Sequence, residues 1–301
     1  ANGKRRQQLE VFHAIYTTGS MTIAASLLNV SKPSISKVLA HADHQLGNRL
    51  FDRVKGKLFP TPEAHQLFAH VKTVYQDVDR LRHVATNLKE VSAGRIRIAT
   101  TPAFGLEVLP RAIASFLQDY PTTVFDIETL HLEEMQDALR ESRIDVGLAF
   151  NPVESPGIHR QQLASGRFVV LAPEQETFGG KSELTVADLA GLPFISLNSR
   201  GPLGQALSDY FARHGVDLNV VAWSETYHVA AALVAKGSGV TIADDITARS
   251  SLTANLRRHR LRPVLKFQVT ALHLDTAPLS VGALRFTNHL VRVLKSFLSD
   301  D

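Results

Sequence analysis

Residues 19–37 read GSMTIAASLLNVSKPSISK. The apolar spacing before this run predicts a helix over 4–17, which Gly19 ends. Ser20 is placed to cap a short second helix over 22–28, because a serine side chain can accept a free backbone N–H at the start of a helix. Ile23, Leu27 and Leu28 are expected to face inward from this second helix, and Ala24 and Ala25 are small enough for close packing.

A third helix is predicted after a turn at Asn29 and Val30. Ser31 can cap it, and Pro33 occupies its first turn, where a missing N–H costs nothing. Gly47 ends it, since glycine readily adopts the left-handed conformation that closes a helix. Two short helices, a tight turn and a third helix form a helix-turn-helix, whose last helix enters the major groove of DNA.

The outward face of the third helix is polar and basic. Lysine can donate to guanine acceptors or to phosphate, and serine can bond base edges or phosphate. An ordinary solvated helix face is the alternative interpretation. The residues predicted to contact DNA here are Ser31, Lys32, Pro33, Ser34, Ser36 and Lys37.

A small basic hairpin is predicted next. Two short apolar segments flank Lys55-Gly56-Lys57 within residues 50–60, which is typical of a wing. We expect Arg53, Lys55 and Lys57 to hold the DNA backbone. Residues 1–61 are therefore predicted to form a winged helix-turn-helix DNA-binding domain.

The charge distribution supports a polyanionic partner for this domain. Residues 1–60 hold nine basic and three acidic residues, a balance of +6, whereas the remaining 24 basic and 26 acidic residues give −2. A basic N-terminal domain, here called the head, followed by a nearly neutral remainder is the electrostatic pattern of a nucleic-acid-binding protein.

A long linker helix is predicted over 62–92. Thr61 can cap it and Pro62 opens it. Its apolar side chains recur every three or four residues, which favours pairing with another helix and hence dimerisation; packing on the chain's own core is the alternative. These apolar positions are Leu67, Val71, Val74, Val78, Leu81 and Leu88.

Ser92-Ala93-Gly94 marks the clearest boundary, after which strands and helices alternate through 93–301. The pattern predicts an α/β domain with a mostly parallel sheet. Its expected strands are 95–99, 123–129, 144–150, 167–172, 193–197, 218–223, 239–243 and 267–274. Its expected helices are 105–119, 132–141, 202–214, 225–236 and 280–298.

Several classes of protein are disfavoured by what the sequence lacks. It has no cysteine, so thiolate metal sites and a cysteine nucleophile are excluded, and no metal or cofactor is predicted. No apolar run approaches the roughly 18–20 residues of a membrane helix, and no secretory signal is recognisable, so we expect a cytoplasmic protein. The glycines Gly180, Gly237 and Gly239 complete no phosphate-binding or dinucleotide-binding motif.

By its motifs, the chain resembles the LysR-type transcriptional regulators over essentially its whole length. The matching runs are LEVF (9–12), the stretch 19–37, LGNRLFDR (46–53) and TPEA (61–64), in the family's order. Lys32 departs from the glutamine usual in the family, which puts base preference in doubt.

The resemblance implies a periplasmic-binding-protein-like effector domain with two lobes. The first lobe would use 93–163 and 267–301, and the second 164–266, with a small-molecule effector in the cleft between them. It also implies a homotetramer, built as a dimer of dimers, that binds double-stranded promoter DNA and has RNA polymerase as a further partner.

Ligands of open α/β sheets bind beyond the carboxyl ends of the strands. Matching the segments at those ends against the family implies that they line the cleft. The predicted effector-binding residues are Thr100, Thr101, Pro102, Thr129, His131, Phe150, Ser196, Asn198, Arg200, Glu225 and Thr226.

Their hydroxyls and the guanidinium of Arg200 suit a small carboxylate. Alternatively, Arg200 pairs with a surface acid, and Thr100 and Thr101 are plain helix caps. Glu225 and His131 could instead recognise a ligand amine, so an amino acid or opine-like compound stays open.

Three rival functions explain the sequence less well. An enzyme would need a catalytic motif, and His131 and His228 are better explained as ligand contacts or satisfied polar groups. A solute-binding protein would not need the basic head. A nucleoid-like DNA binder without an effector would use the large domain only for assembly.

Overall fold

A computed structural model describes residues 2–54, 57–89, 94–174, 178–198, 201–250 and 256–299. The chain folds into two compact units, residues 1–82 and 83–301. The predicted boundary residues Ser92 and Ala93 lie outside the described residues.

The first unit is a three-helix head with a two-stranded wing. Its elements are α1 (Asn2–Thr18), α2 (Met21–Leu27), α3 (Lys32–Leu46), β1 (Phe51–Val54), β2 (Lys57–Pro60) and the start of α4 (Pro62–Lys89). The predicted helix caps are confirmed. Ser20 and Ser31 accept cap hydrogen bonds from Ile23 N and Ser34 N, and Gly47 closes α3 in the left-handed conformation. β1 and β2 pair antiparallel.

The core of the head buries one face of each helix. Phe12, Ile15 and Ile35 are almost fully buried in it. The prediction for α2 was partly wrong, because Ile23 and Leu27 are 52% and 63% exposed. The buried residues of α2 are Met21, Ala24 and Ala25; small side chains let this seven-residue helix approach its neighbours closely.

The apolar positions of α4 divide into two groups. Val71 is buried and Leu67 packs against the head core. For these two positions, packing on the chain's own core is therefore the correct interpretation. Val74, Val78 and Leu81 are exposed by 49%, 40% and 69%. Because three apolar side chains at helical spacing stay exposed, this part of α4 is suited to pairing with another helix.

The second unit has two lobes. The first is built from β3 (Arg95–Thr100), α5 (Pro102–Gly105), α6 (Val108–Asp119), β4 (Val124–Thr129), α7 (Leu132–Arg140), β5 (Val146–Phe150) and α11 (Val281–Ser299). β3 pairs parallel with both β4 and β5. Arg97 and Asp145, both largely buried, form an ion pair at 2.7 Å between these strands.

The second lobe lies between β5 and α11 in sequence. Its elements are β7 (Glu183–Thr185), β8 (Pro193–Leu197), α8 (Pro202–His214), β9 (Asn219–Ser224), α9 (Tyr227–Ala235), β10 (Thr241–Asp244), α10 (Asp245–Ala248) and β11 (Leu256–Arg262). β8 and β9 pair parallel. Gly239, at φ +141°, lets the backbone before β10 approach Pro193 closely enough that a Cβ would meet the Pro193 carbonyl oxygen.

Two strands cross between the lobes: β6 (Ile158–Pro173) and β12 (Lys266–Leu274). They pair antiparallel with each other, since one leaves the first lobe and the other returns to it. β10 and β11 also pair antiparallel with β6, and β5 with β12. The expectation of a mostly parallel sheet is therefore wrong at the centre, although it holds for β3–β5 and for β8 and β9.

Candidate functional site

The outer face of α3 presents the predicted DNA-contacting residues to solvent. Ser31, Lys32, Pro33, Ser34, Ser36 and Lys37 are all exposed, whereas Ile35 and Leu39 on the opposite side are buried. Lys32 lies in the first turn of α3 and Lys37 in the second, so two cations stand near the N-terminus of the helix, whose dipole also attracts phosphate.

The wing adds a second basic segment. Arg53 is exposed on β1, where its Nη2 lies 3.7 Å from Met21 Sδ. The backbone of Lys57 begins β2 opposite Val54. Lys55 lies outside the described residues, as does the side chain of Lys57.

In the first lobe, strand register brings the predicted cleft residues together. Thr100 is opposite Thr129 on β4 and opposite Leu148 on β5, two residues before Phe150. Thr101 and Pro102 begin α5 directly after Thr100. The ring of Phe150 is buried and stacks on Phe104 at 4.3 Å between centroids, which places it in the core of the domain.

In the second lobe, β8 and β9 end side by side. Ser196 is opposite Trp223, and the backbone N–H of Asn198 donates to the Ser224 carbonyl at 2.9 Å. Glu225 and Thr226 follow in the turn into α9. The predicted Arg200 lies outside the described residues.

Several of the predicted hydroxyls have local hydrogen bonds. Thr226 Oγ1 caps α9 by accepting from Val229 N, and Ser224 Oγ donates to the Thr226 carbonyl. Thr100 Oγ1 donates to the Thr101 carbonyl at 3.0 Å. His131 is exposed at the start of α7, where its backbone N–H donates to Glu134 Oε2. The predicted set therefore mixes helix-capping residues with groups that are open to a ligand.

Three buried polar atoms in this region have no hydrogen-bond partner among the described residues: Thr101 Oγ1, Tyr227 OH and His228 Nε2. Thr101 precedes α5 in the first lobe, Tyr227 and His228 open α9 in the second, and α5 packs against α9. A buried polar atom without a partner costs about 1–3 kcal/mol, so its persistence points to a ligand or water that satisfies it.

The sequence prediction missed Tyr227, and it treated His228 as a ligand contact or a satisfied polar group without including it in the effector-binding set. The prediction took residues that directly follow the carboxyl ends of strands, whereas Tyr227 and His228 lie in the first turn of α9. An unpaired buried atom leaves no signal in a single sequence, because pairing is decided by neighbours distant in the chain.

Burial also sets the protonation of these groups. It lowers the pKa of His228, so the imidazole is neutral at pH 7. Burial, together with the nearby Asp244 carboxylate, raises the pKa of Tyr227 well above its usual range. The region therefore offers a hydroxyl, a phenol and a neutral imidazole, which recognise oxygen and nitrogen atoms by hydrogen bonding rather than by charge.

Neither a metal centre nor a membrane span emerges from the described parts of the chain. They contain no group of histidine, aspartate and glutamate side chains arranged to hold a metal ion. None of their helices combines the length and the apolar character needed to cross a membrane.

Two family models match the chain and together cover most of it. "Bacterial regulatory helix-turn-helix protein, lysR family" matches residues 6–65, and "LysR substrate binding domain" matches residues 89–295. The chain belongs to the LysR family. It is a DNA-binding transcriptional regulator with an effector-binding domain, and not an enzyme.

Curated relatives and solved structures agree with this assignment. The chain is 41% identical to the HTH-type transcriptional regulator DgcR of a Pseudoalteromonas species, over 95% of this chain and 98% of that one. It is 30% identical to the transcriptional activator protein LysR of Escherichia coli, over 94% and 91%. Full-length CbnR complexed with its target DNA has the same fold, with a TM-score of 0.72 at 20% identity over 95% and 99%.

Proposed function

We propose that this LysR-type regulator binds a small carboxylate or amino-acid-like effector between its two lobes, and that the effector changes how the protein binds or bends promoter DNA. The buried polar atoms of Thr101, Tyr227 and His228, which find no partner in the described parts of the chain, carry this proposal. They come from both lobes, so a ligand that bonds to all three favours one angle between the lobes over another.

The chemistry of these three side chains supports a small polar ligand. Tyr227 OH can donate to a carboxylate oxygen, while Thr101 Oγ1 can donate or accept. Neutral His228 has one donor and one acceptor nitrogen, so it can serve either a carboxylate or a ligand amine. Arg200, which follows β8, stays a predicted carboxylate partner. A relative from Rhizobium meliloti named as an octopine catabolism/uptake operon regulatory protein, 27% identical, is in keeping with this ligand class.

On the DNA side, residues 1–61 would read the promoter. The recognition helix α3 enters the major groove, with Lys32 and Lys37 donating to base edges or phosphates and the serines supplementing them. Arg53, Lys55 and Lys57 of the wing lie along the backbone, where contacts position the protein without reading sequence.

Residues 62–92 would pair two protomers. The exposed Val74, Val78 and Leu81 of α4 supply the apolar seam for this pairing, and residues 93–301 bring dimers together into a homotetramer. Such an assembly converts a change of lobe angle into a change of spacing between heads. RNA polymerase is a further proposed partner, and the site of action is the cytoplasm, where bacterial promoters are found.

A thermal-shift screen of the full-length protein tests the effector proposal. Carboxylates, amino acids and opine-like compounds are compared, because a ligand of the native state raises the melting temperature by mass action. Thr101→Val is the informative variant. Its hydroxyl has no partner among the described residues, so the exchange leaves the ligand-free melting temperature unchanged or higher, while the ligand shift falls.

Thr287→Val is the matched control. The hydroxyl of Thr287 is also buried, but its Oγ1 donates to the Ala283 carbonyl within α11. It should lose some stability and keep the full ligand shift. A ligand whose shift is the same in wild type and in Thr101→Val would refute the assigned site. If no compound gave a shift, the effector-free, nucleoid-like interpretation would be favoured instead.

A further inference from the structure

The second lobe contains a cavity of about 340 Å³ with a basic lining. Four arginines line it: Arg167 on β6, Arg249 directly after α10, and Arg258 and Arg260 on β11. Among the described residues that line it, Asp245 is the one carboxylate. None of these residues belongs to the predicted effector-binding set.

Strand register places three of these arginines, those of β6 and β11, on a common face. Arg260 is opposite Val169 and Arg258 is opposite Leu171, and directly opposite residues of an antiparallel pair share a face. Arg167 precedes Val169 by two positions in β6, so it lies on the same face. The clustering therefore follows from the backbone and does not depend on long side chains meeting by chance.

Asp245 holds three of the guanidinium groups near one another. It is buried, and its Oδ1 lies 3.0 Å from Arg249 Nε and 4.0 Å from Arg258 Nη1. Its Oδ2 lies 3.9 Å from Arg167 Nε. Arg167, Arg249 and Arg260 make other contacts as well, and a guanidinium has five donors, so contacts with protein acceptors and with a bound anion are compatible.

The lining charge favours a multivalent anion. Among the described lining residues, four guanidinium groups and one carboxylate give an excess of three positive charges in a cavity of ligand size. Arginine bonds phosphate oxygens bidentately, and a single carboxylate would neutralise only a minor part of the excess. We propose that this cavity is a binding site for a small phosphorylated metabolite, separate from the effector site between the lobes.

The site also touches the strand that joins the lobes. Arg167 is paired with Lys266, at the start of β12, in the register of the two crossing strands. An anion bound by Arg167 therefore contacts β6 where it passes from one lobe to the other. A ligand here is placed to affect the angle between the lobes.

Isothermal titration of the full-length protein with inorganic pyrophosphate, at fixed ionic strength, tests the proposal. Wild type should bind, and Arg258→Gln should bind at least about tenfold more weakly, because it loses a charge-assisted hydrogen bond. The Arg258 side chain is 45% exposed, so the variant should fold; its melting temperature without ligand checks this. Arg260→Gln provides a second, independent loss of charge from the same face.

Arg257→Gln is the matched control. Arg257 is exposed on the same strand, but strand alternation places its side chain on the opposite face from Arg258. This variant, and Thr101→Val between the lobes, should bind pyrophosphate like wild type. The proposal is overturned if wild type shows no binding at millimolar pyrophosphate. It is equally overturned if Arg257→Gln and Arg258→Gln weaken binding alike, or if Thr101→Val abolishes it.

Discussion

Asp244 should make the stability of this protein depend on pH. The residue ends β10, is fully buried, and accepts hydrogen bonds from Thr247 N at 2.8 Å and Thr247 Oγ1 at 2.7 Å. Burial disfavours the charged carboxylate more than these bonds favour it, so the pKa of Asp244 rises from 3.8 to about 6. The folded protein therefore holds a proton that the unfolded chain has already released.

The size of the effect follows from the two pKa values. Because the pKa of Asp244 is higher in the folded than in the unfolded chain, its bound proton stabilises the folded protein. This contribution is complete below about pH 3.8 and is lost as the pH rises through about 6. A difference of about two units corresponds to ~3 kcal/mol. Roughly half of that loss is complete at pH 5, so on the order of 1 kcal/mol remains to be lost between pH 5 and pH 7.5.

Asp244→Asn isolates this contribution, since an amide can still accept from Thr247 N and donate to the Thr247 hydroxyl. Urea unfolding at both pH values gives the free energy of unfolding of variant and wild type. The variant's advantage in this free energy should be larger at pH 7.5 than at pH 5, by on the order of 1 kcal/mol. Asp217→Asn, in an exposed loop, is the control for removing a carboxylate that is not buried. An Asp244→Asn advantage that is absent, or equal at the two pH values, would refute the reasoning.

Three other predictions concern DNA readout, assembly and packing. In binding titrations over a salt series, Lys57→Ala should weaken all DNA sequences alike and reduce the salt slope by about one, whereas Lys32→Ala should relax preference at one base pair; unchanged preference would contradict base readout by Lys32. In sedimentation, Val78→Glu should weaken dimerisation at least about tenfold, because it would bury an unpaired charge in the seam, while the protomer stays folded because Val78 is 40% exposed on α4; an intact dimer would place the seam elsewhere. In urea unfolding, Gly239→Ala should cost more than about 2 kcal/mol, since its Cβ would lie 2.1 Å from the Pro193 carbonyl oxygen; an unchanged midpoint would contradict the close approach.

The sequence predicted best those elements whose ends carry local signals. Pro202 at the start and Gly215 after the end delimit α8 as expected over 202–214. Ser20, Ser31 and Gly47 likewise set the helices of the head. These signals work from a single sequence because they act through the conformational preference or the hydrogen bond of one residue with its immediate neighbours.

Prediction failed where an element owes its structure to distant partners. β11, with the sequence LRRHRLR, was not predicted as a strand because its charges hide any apolar alternation; pairing with β6 and β7 makes it one. The strand predicted at 167–172 is only the second half of β6, since the polar first half becomes a strand by pairing with β12.

The sequence alone determined the DNA-binding head, the linker helix and the alternating body, because capping, apolar periodicity and net charge are properties of neighbouring residues. Only the tertiary structure decided which face of α2 is buried, how the crossing strands run, and which polar atoms lack partners. It also brought Arg167, Arg249 and Arg258 around Asp245. Contacts between residues far apart in the chain depend on strand register and packing, which no local pattern encodes.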